Sequence, residues 1–280
     1  MLKLLFALTY SLLVSTSFAQ DKGPAKHWFK VLPEEQSLTS FGSAAKRELK
    51  NHSLKALIWN IKKSSMIAWQ NEFRKFSTGR DLILVQEAYA NPFFTTILAT
   101  FFNYRWDMGI SFLYRKDNNT PTGTMIGSTA LATETLVLHS PDHEPVVETP
   151  KSLTVAKYPV KGKATELLVI SVHGINFQTT AAFKRHMDRA FEVIAEHEGP
   201  ILFGGDFNTW NNSRTNYLYR LSKKHNLDRV KFKNGNERLK FNGFFLDHIF
   251  IRGVEVKEAE VIGSSKGSDH KPILIEMNII

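Results

Sequence analysis

Carboxylate, amide and imidazole side chains recur in this sequence where apolar runs give way to polar residues. Trp59-Asn60 closes one such run, Gln86-Glu87 a second and Val172-His173-Gly174-Ile175-Asn176 a third. Gly204-Gly205-Asp206-Phe207-Asn208 follows Ile201-Leu202-Phe203. Leu246-Asp247-His248 opens a late run, and Ser268-Asp269-His270-Lys271-Pro272 precedes the last one. Polar and acidic residues at strand ends are the material of an α/β active site. Each group alone is weak evidence, since Gly-Asp-Phe-Asn is commonly a turn and Asp-His commonly a loop or cap. Their ordered recurrence is the signal. The chain has no cysteine, which excludes a thiol nucleophile, a disulfide scaffold, an iron–sulfur centre and Cys-ligated zinc.

Those residues need elements to hold them. Leu54 to Asn60 reads as a first strand, and Asp81 to Gln86 as a strand buried on both faces. Between them Met66, Trp69, Phe73 and Phe76 fall at helical spacing. Further strands are expected at 111–114, 125–131, 135–139, 152–158, 166–172, 201–203, 247–252 and 273–279, with loop chemistry at Asp117 to Pro121. Phe183, Met187, Ala190, Phe191 and Ile194 mark a long helix stopped by Gly199-Pro200, and Asn216 to His225 a second. Too many strands lack an intervening helix for one doubly wound sheet. The expected fold is therefore α/β, a four-layered sandwich of two packed mixed sheets flanked by helices.

Composition bounds the partners. The 36 basic and 27 acidic residues leave +9 over 280 residues, a balance that favours polyanions such as nucleic acid or anionic lipid. Met1-Leu2-Lys3, the apolar Leu4 to Val14 and Ser17-Phe18-Ala19 read as a signal peptide, 1–19, cleaved before Gln20. Export to the periplasm or beyond is the expectation. Residues 20–53 read as a polar, extended lead-in, and 54–280 as one domain.

Taken together, Asn60, Gln86-Glu87, His173-x-x-Asn176, Gly205-Asp206-Phe207-Asn208, Asp247 and Ser268-Asp269-His270-x-Pro272 resemble the endonuclease/exonuclease/phosphatase (DNase I-like) superfamily, in order and from about Lys55 to Glu276. Trp59-Asn60-Ile61, His173-x-x-Asn176-Phe177 and Ala259 to Val261 make the chain look most like the YafD-type bacterial branch. The resemblance implies a DNase I-like fold and metal-dependent phosphoester hydrolysis. Such a reaction needs neutralised phosphoryl charge, a base for water and help for the departing oxygen.

The resemblance also implies roles. Glu87, Asn60 and Asp269 would lie at Mg²⁺, with Mn²⁺ or Ca²⁺ as alternatives. Asp206 would orient or deprotonate water, Asn208 and Asn176 would donate to phosphoryl oxygens, and Asp247 would fix the tautomer of His270. His173, a residue shared with DNase I and sphingomyelinases, would protonate or polarise the leaving oxygen. Two departures stand out. Lys62 replaces an acidic residue of exonuclease III-type enzymes, and Thr129 stands where the family carries a phosphate-clamping Arg.

For substrate, Val230 to Phe245 interleaves Lys231, Lys233, Arg238 and Lys240 with four phenylalanines. Basic groups there suit backbone phosphates, and rings suit stacked bases or lipid. The competing reading is a hairpin with core rings and a solvated basic face. Trp210 and Arg214 are further rim candidates, and Glu134, Asp142, Glu144 and Glu148 read as an acidic surface stretch. Nucleic acid is the expected substrate, through a DNase I-like nuclease activity. The alternatives are an anionic or sphingolipid membrane surface, met by a phospholipase C-type enzyme, and an inositol-phosphate or nucleotide phosphatase. A monomer is expected.

Overall fold

The computed structural model describes residues 25–280; the segment read as a signal peptide, 1–19, lies outside the described residues. In chain order the strands begin with β1 (Phe29–Lys30), β2 (Leu38–Gly42), β3 (Leu54–Asn60), β4 (Leu82–Tyr89), β5 (Arg105–Tyr114) and β6 (Thr120–Ser128). Then come β7 (Glu134–His139), β8 (Ser152–Tyr158), β9 (Leu167–His173), β10 (Ile201–Asp206) and β11 (Asp228–Arg229). The last are β12 (Lys240–Phe241), β13 (Phe244–Phe245), β14 (Asp247–Arg252), β15 (Val254–Val261) and β16 (Ile273–Ile279). The helices are α1 (Trp69–Ser77), α2 (Pro92–Leu98), α3 (Thr180–Glu196) and α4 (Asn212–Lys224).

One sheet runs β1-β5-β6-β4-β3-β16-β15, with β2 also on β5, and the other runs β11-β14-β10-β9-β8-β7. Side chains alternate along each strand, so each sheet has two apolar faces to cover. The inner faces meet: Ala56, Ile58 and Ile275 of the first sheet share a core with Val169, Leu202 and Ile249 of the second. The outer face of the first sheet packs Leu57, Trp59 and Val85 under Trp69, Phe73 and Phe94 of α1 and α2. That of the second packs Ile170, Val172 and Phe203 under Phe183, Met187 and Leu218 of α3 and α4. Burying each such side chain contributes about 1.5–3 kcal/mol. This is the four-layered sandwich of the sequence reading.

Helix ends follow local chemistry. Thr179 caps α3 by accepting the Ala182 N–H, Asn91 caps α2 through Phe94, and Asn211 caps α4 through Arg214. Three differences from the sequence expectation have physical causes. β5 begins at Arg105 rather than 111, because Asp107 is buried within it and accepts from Ser40 Oγ at 2.7 Å. β6 runs from Thr120 through Pro121 to Ser128 instead of 125–131, Pro121 being tolerated as the second residue of the strand. Within the stretch read as an extended lead-in, 20–53, β1 and β2 pair antiparallel with β5, and Leu49 bridges to Val160. Short strands with one wet face lack the apolar run that betrays central strands.

Candidate functional site

β3 and β4 run parallel, as do β9 and β10, so Asn60, Gln86, His173 and Asp206 emerge at one end of the sandwich. Register aligns Asp206 with His173 on one side and with Asp247 on the other. Paired positions share a face, and alternation puts these three on the inner face that carries Val169, Leu202 and Ile249. Asn60 likewise follows Ala56 and Ile58. The site is thus the open end of the core between the sheets.

Two backbone irregularities aim its acids. The β4–β6 register shifts between Val85 and Ala88, and Glu87 sits at φ 52°. Gln86 faces inward by alternation after Leu82 and Leu84 and donates to Ser171 Oγ (3.0 Å), while the bulge turns Glu87 to the same side, where its Oε1 accepts from Asn60 Nδ2 (3.3 Å). Gly205, at φ 145°, precedes Asp206, and a Cβ there would overlap the Val172 carbonyl oxygen. Asn208, at φ 53°, donates its N–H to Asp206 Oδ1 (3.0 Å) and its Nδ2 to Gly174 O (2.8 Å). Left-handed backbone at non-glycine residues costs free energy and clusters at working sites.

Asp206 is the hub. Its Oδ2 accepts from Asn60 Nδ2 at 3.1 Å and lies 3.6 Å from His270 Nε2 and 3.7 Å from His173 Nε2. Behind it His270 Nδ1 is 2.9 Å from Asp247 Oδ2. Asp206, Asp247 and His270 offer ligand-type atoms within 4.8 Å of one another. With the imidazole Nδ1 already held by Asp247, the trio reads as a carboxylate–imidazole–carboxylate row, hydrogen-bonded between His270 and Asp247 and in ion-pair range of Asp206. At the rim the Lys62 Nζ contacts Asp269 Oδ2 at 3.1 Å, and Asp269 Oδ1 accepts the His270 N–H at 3.2 Å.

Electrostatics separates the roles. Burial disfavours the His270 cation, but the carboxylates of Asp247 and Asp206 outweigh it and hold the imidazole pKa well above its usual range. Burial raises the Asp206 carboxyl, as do Asp247 and Glu87, against the opposing His270 charge and the Asn208 N–H. Burial also drives His173 far below the usual histidine range, assisted by Lys151 and His270, so it is neutral. For Glu87 burial works upward, yet Lys63, Lys151, His270 and the Asn60 amide keep it below the ordinary carboxylate range.

The structure brings Asn60, Glu87, His173, Asp206, Asn208, Asp247 and His270 into one cluster, with Asp269 at its edge. Several assignments read from sequence change. Asn60, expected at the cation, directs its amide nitrogen to Glu87 and Asp206 while Oδ1 accepts the Lys62 N–H (3.1 Å), so it braces the two acids at that place. Asn176 Oδ1 is taken by the Phe177 N–H (2.9 Å), so it has its NH₂ to offer a ligand.

Arg238 donates to the Asp247 carbonyl (2.8 Å) and lies 3.9 Å from the Phe245 ring centroid, which makes it a support for β14 and not an open phosphate clamp. Lys233 pairs loosely with Glu260 (3.8 Å), and Lys231 is exposed. Neither has a contact with the catalytic cluster.

Arg214 is no rim residue. Fully buried, it donates to the carbonyls of Ile175 (2.7 Å), Asn208 (3.0 Å) and Gln178 (2.7 Å). Glu144 is buried too, not part of an acidic surface: Oε1 accepts the Asn176 N–H (3.0 Å) and Oε2 pairs with Lys151 Nζ (3.3 Å). Lys151 is the functional residue that sequence reading missed. Burial lowers its pKa, but Glu144, Glu87 and Asp206 more than offset this and keep it charged. A lysine ahead of an apolar strand carries no signal in one sequence.

The sequence pattern of the Endonuclease/Exonuclease/phosphatase family matches residues 53–270, and the chain belongs to that family. Its relatives include a UPF0294 protein of Klebsiella pneumoniae (strain 342), 31% identical over 81% of this chain and 83% of that one. A UPF0294 protein of Vibrio campbellii is 32% identical over 82% and 79%; these are of the YafD type. Among solved structures, an endonuclease/exonuclease/phosphatase from Beutenbergia cavernae shares the fold at TM-score 0.63 and 13% identity, covering 81% of this chain and 72% of that one. The human Nocturnin catalytic domain with bound sulfate does so at 0.58 and 12%, covering 89% and 100%.

Proposed function

We propose that this chain is a divalent-cation-dependent phosphodiesterase. The observation that carries the reading is the buried row His173, Asp206 and Asp247 on three adjacent strands, completed by His270 on Asp247. Glu87 and Asp269 suit a hard cation such as Mg²⁺, which takes one or two carboxylates and keeps most of its water. When bound, the cation would neutralise phosphoryl charge and polarise the ester.

The chain's own groups supply the rest. Asp206, with a raised pKa, is a stronger base than an ordinary aspartate and accepts the proton of the attacking water. Its neighbour His270, kept protonated by two carboxylates, is a cation for the phosphoryl oxygens and not the base. Lys151 adds a second fixed positive charge, whereas Thr129, bonded through its backbone to Asp81, lies at the far end of the sheet. Neutral His173 donates a hydrogen bond to the leaving oxygen. The water oxygen bonds to phosphorus as its proton passes to Asp206, the ester P–O bond breaks, and the leaving oxygen, hydrogen-bonded to His173, takes its proton from solvent.

Net charge of +9 and the exposed Lys231 and Lys240 favour nucleic acid as substrate. The test is turnover of bis(p-nitrophenyl) phosphate and of plasmid DNA, in Mg²⁺ and in EDTA, with His270→Ala and Asp206→Asn alongside. Metal-dependent cleavage lost in both variants supports the reading. A wild-type protein that cleaves neither these nor any lipid phosphodiester overturns it, and plasmid left intact while the small diester is cut removes the nuclease activity alone. Export, read from the N-terminal segment, is proposed together with this activity.

A further inference from the structure

Asp269 and His270 stand not on a strand but on the loop 262–272 between β15 and β16. Strand-borne groups such as His173 and Asp206 inherit their places from the ladders that pair their strands. A loop has no ladder, and loops run looser than the elements they join. Displacing a reacting group by about 1 Å costs up to about 10²-fold in rate. A site built partly on this loop therefore needs the loop held.

Two side chains from other elements grip its backbone. The indole Nε1 of Trp59, next to Asn60, donates to the His270 carbonyl (3.1 Å). Glu72, on α1, collects three donors: Ser265 Oγ (2.6 Å), the Gly267 N–H (2.8 Å) and the Lys266 N–H (3.1 Å). Lys271 ties the loop to itself by donating from Nζ to the Ser265 carbonyl (2.6 Å). The helix is a firm base for this grip, because Trp69, Phe73 and Phe76 of α1 pack on Trp59 and its neighbours.

The loop is shaped to receive the carboxylate. A Cβ at Gly267 would lie 2.8 Å from Glu72 Oε2 and 2.8 Å from the Trp59 ring, so a larger residue must displace one or the other. Burial raises the Glu72 carboxyl, but the Ser265 hydroxyl and the Lys266 and Gly267 N–H groups outweigh it and hold the acid below the ordinary carboxylate range. Bonds to an ionised acceptor are roughly twice as strong as those between neutral groups.

We propose that Glu72 is a positioning residue, which anchors the 265–267 backbone so that His270 stays against Asp247 and Asp206 and Asp269 stays beside it. The inference rests on the phosphodiesterase reading and adds to it a residue of the outer helical layer. Glu72 acts through the stretch of chain it holds, and not on substrate.

The test sets Glu72→Ala beside Phe73→Leu, which keeps the anchor but thins the buried packing of α1. Hydrogen exchange is followed over 262–272, with kcat and KM on bis(p-nitrophenyl) phosphate in Mg²⁺. Glu72→Ala should speed exchange of the Lys266 and Gly267 amides by about tenfold or more. It should lower kcat by roughly 10-fold to 10²-fold with KM within about twofold. Glu72→Gln, which keeps an acceptor for the same N–H groups, should recover part of the rate. Gly267→Ala should reproduce the defect, and the double variant should cost little more than either change alone, since both release one anchor. Phe73→Leu should lose urea stability with kcat unchanged where it is folded.

Unchanged exchange in Glu72→Ala overturns the proposal whatever the activity, and so does faster exchange with wild-type kcat. A kcat loss shared equally by Phe73→Leu makes Glu72 a stability residue and overturns it too. Wild type that hydrolyses no phosphodiester removes the phosphodiesterase reading, while exchange over 262–272 still decides whether Glu72 holds the loop.

Discussion

Lys62 holds Asp269, one of the two carboxylates suited to a cation, through an ion pair of 3.1 Å between Nζ and Oδ2. Lys62, Lys63 and Ser64 form a turn in which all three residues have positive φ, so the chain accepts strain to place this ammonium. A cation that engages Asp269 must compete with it. Lys62→Gln is therefore expected to tighten Mn²⁺ binding by about threefold to tenfold, a modest gain because Asp269 is exposed and solvent screens the pair. Calorimetric titration at fixed pH measures this, with Glu87→Gln as the non-binding control. Unchanged or weaker affinity would show that Lys62 merely orients Asp269.

The Asp206–His270 pair sets a pH profile. With the Asp206 pKa raised and the His270 pKa raised, activity needs the form in which the carboxylate is free and the imidazole charged. The acid limb of kcat/KM should lie above the ordinary aspartate range and the alkaline limb above the ordinary histidine range; both values belong to the pair. Asp247→Asn removes the partner of Nδ1 and should move the alkaline limb down. A profile that simply rises through the ordinary histidine range and stays flat would make His270 the base.

The same shift bears on stability. His270 binds its proton more tightly folded than unfolded, so its stabilising contribution is present below pH about 6.5 and fades as pH climbs through the raised folded value. Asp247→Asn should flatten that alkaline loss, as read by urea midpoints across the range.

Sequence carried the central strands and the strand-end residues because each announces itself locally. A continuous apolar run marks β4, β9 and β10, and an acid or imidazole at its end marks Glu87, His173 and Asp206. His248, which follows Asp247 along β14, turns to the outer face by the same alternation and stacks at 6.0 Å on Phe250. What stayed hidden depends on contacts across the chain. Arg214 and Glu144 look like surface charges until α4 and the β7–β8 loop fold over the 174–178 loop. The shift of Arg238 from clamp to strut follows from Phe232 and Phe245 closing round it, which no spacing encodes.

Lys151 is expected to act on turnover more than on binding of the ground state. Its ammonium is held by Glu144 at 3.3 Å and faces the charges of Glu87 and Asp206, the place where phosphoryl charge grows during attack. Lys151→Gln should lower kcat by roughly 10²-fold, comparable to loss of one preorganised donor, with KM little changed. Lys151→Arg should recover part of it. If Lys151→Gln raises KM alone, the lysine is a uniform binding contact. Glu144→Gln loosens both Lys151 and the Asn176 loop, so it should show the kcat loss together with a raised KM.

Arg214 separates a structural cation from the catalytic ones. It is wholly buried, with three carbonyl acceptors on the 175–178 loop and on Asn208, and its guanidinium lies 4.4 Å from the Trp210 ring centroid. Removing it strands those carbonyls away from water and leaves a gap between α4 and the site. Hydrogen bonds to a charged donor contribute about 1.5–3 kcal/mol each, although several on one group do not add fully. Arg214→Ala should therefore cost about 3 kcal/mol or more in urea unfolding. Lys is not an adequate replacement, since an ammonium cannot span the carbonyls of Ile175 and Gln178 as the planar fork does. A variant of wild-type stability with lost activity would instead put Arg214 in contact with substrate, against its complete burial here.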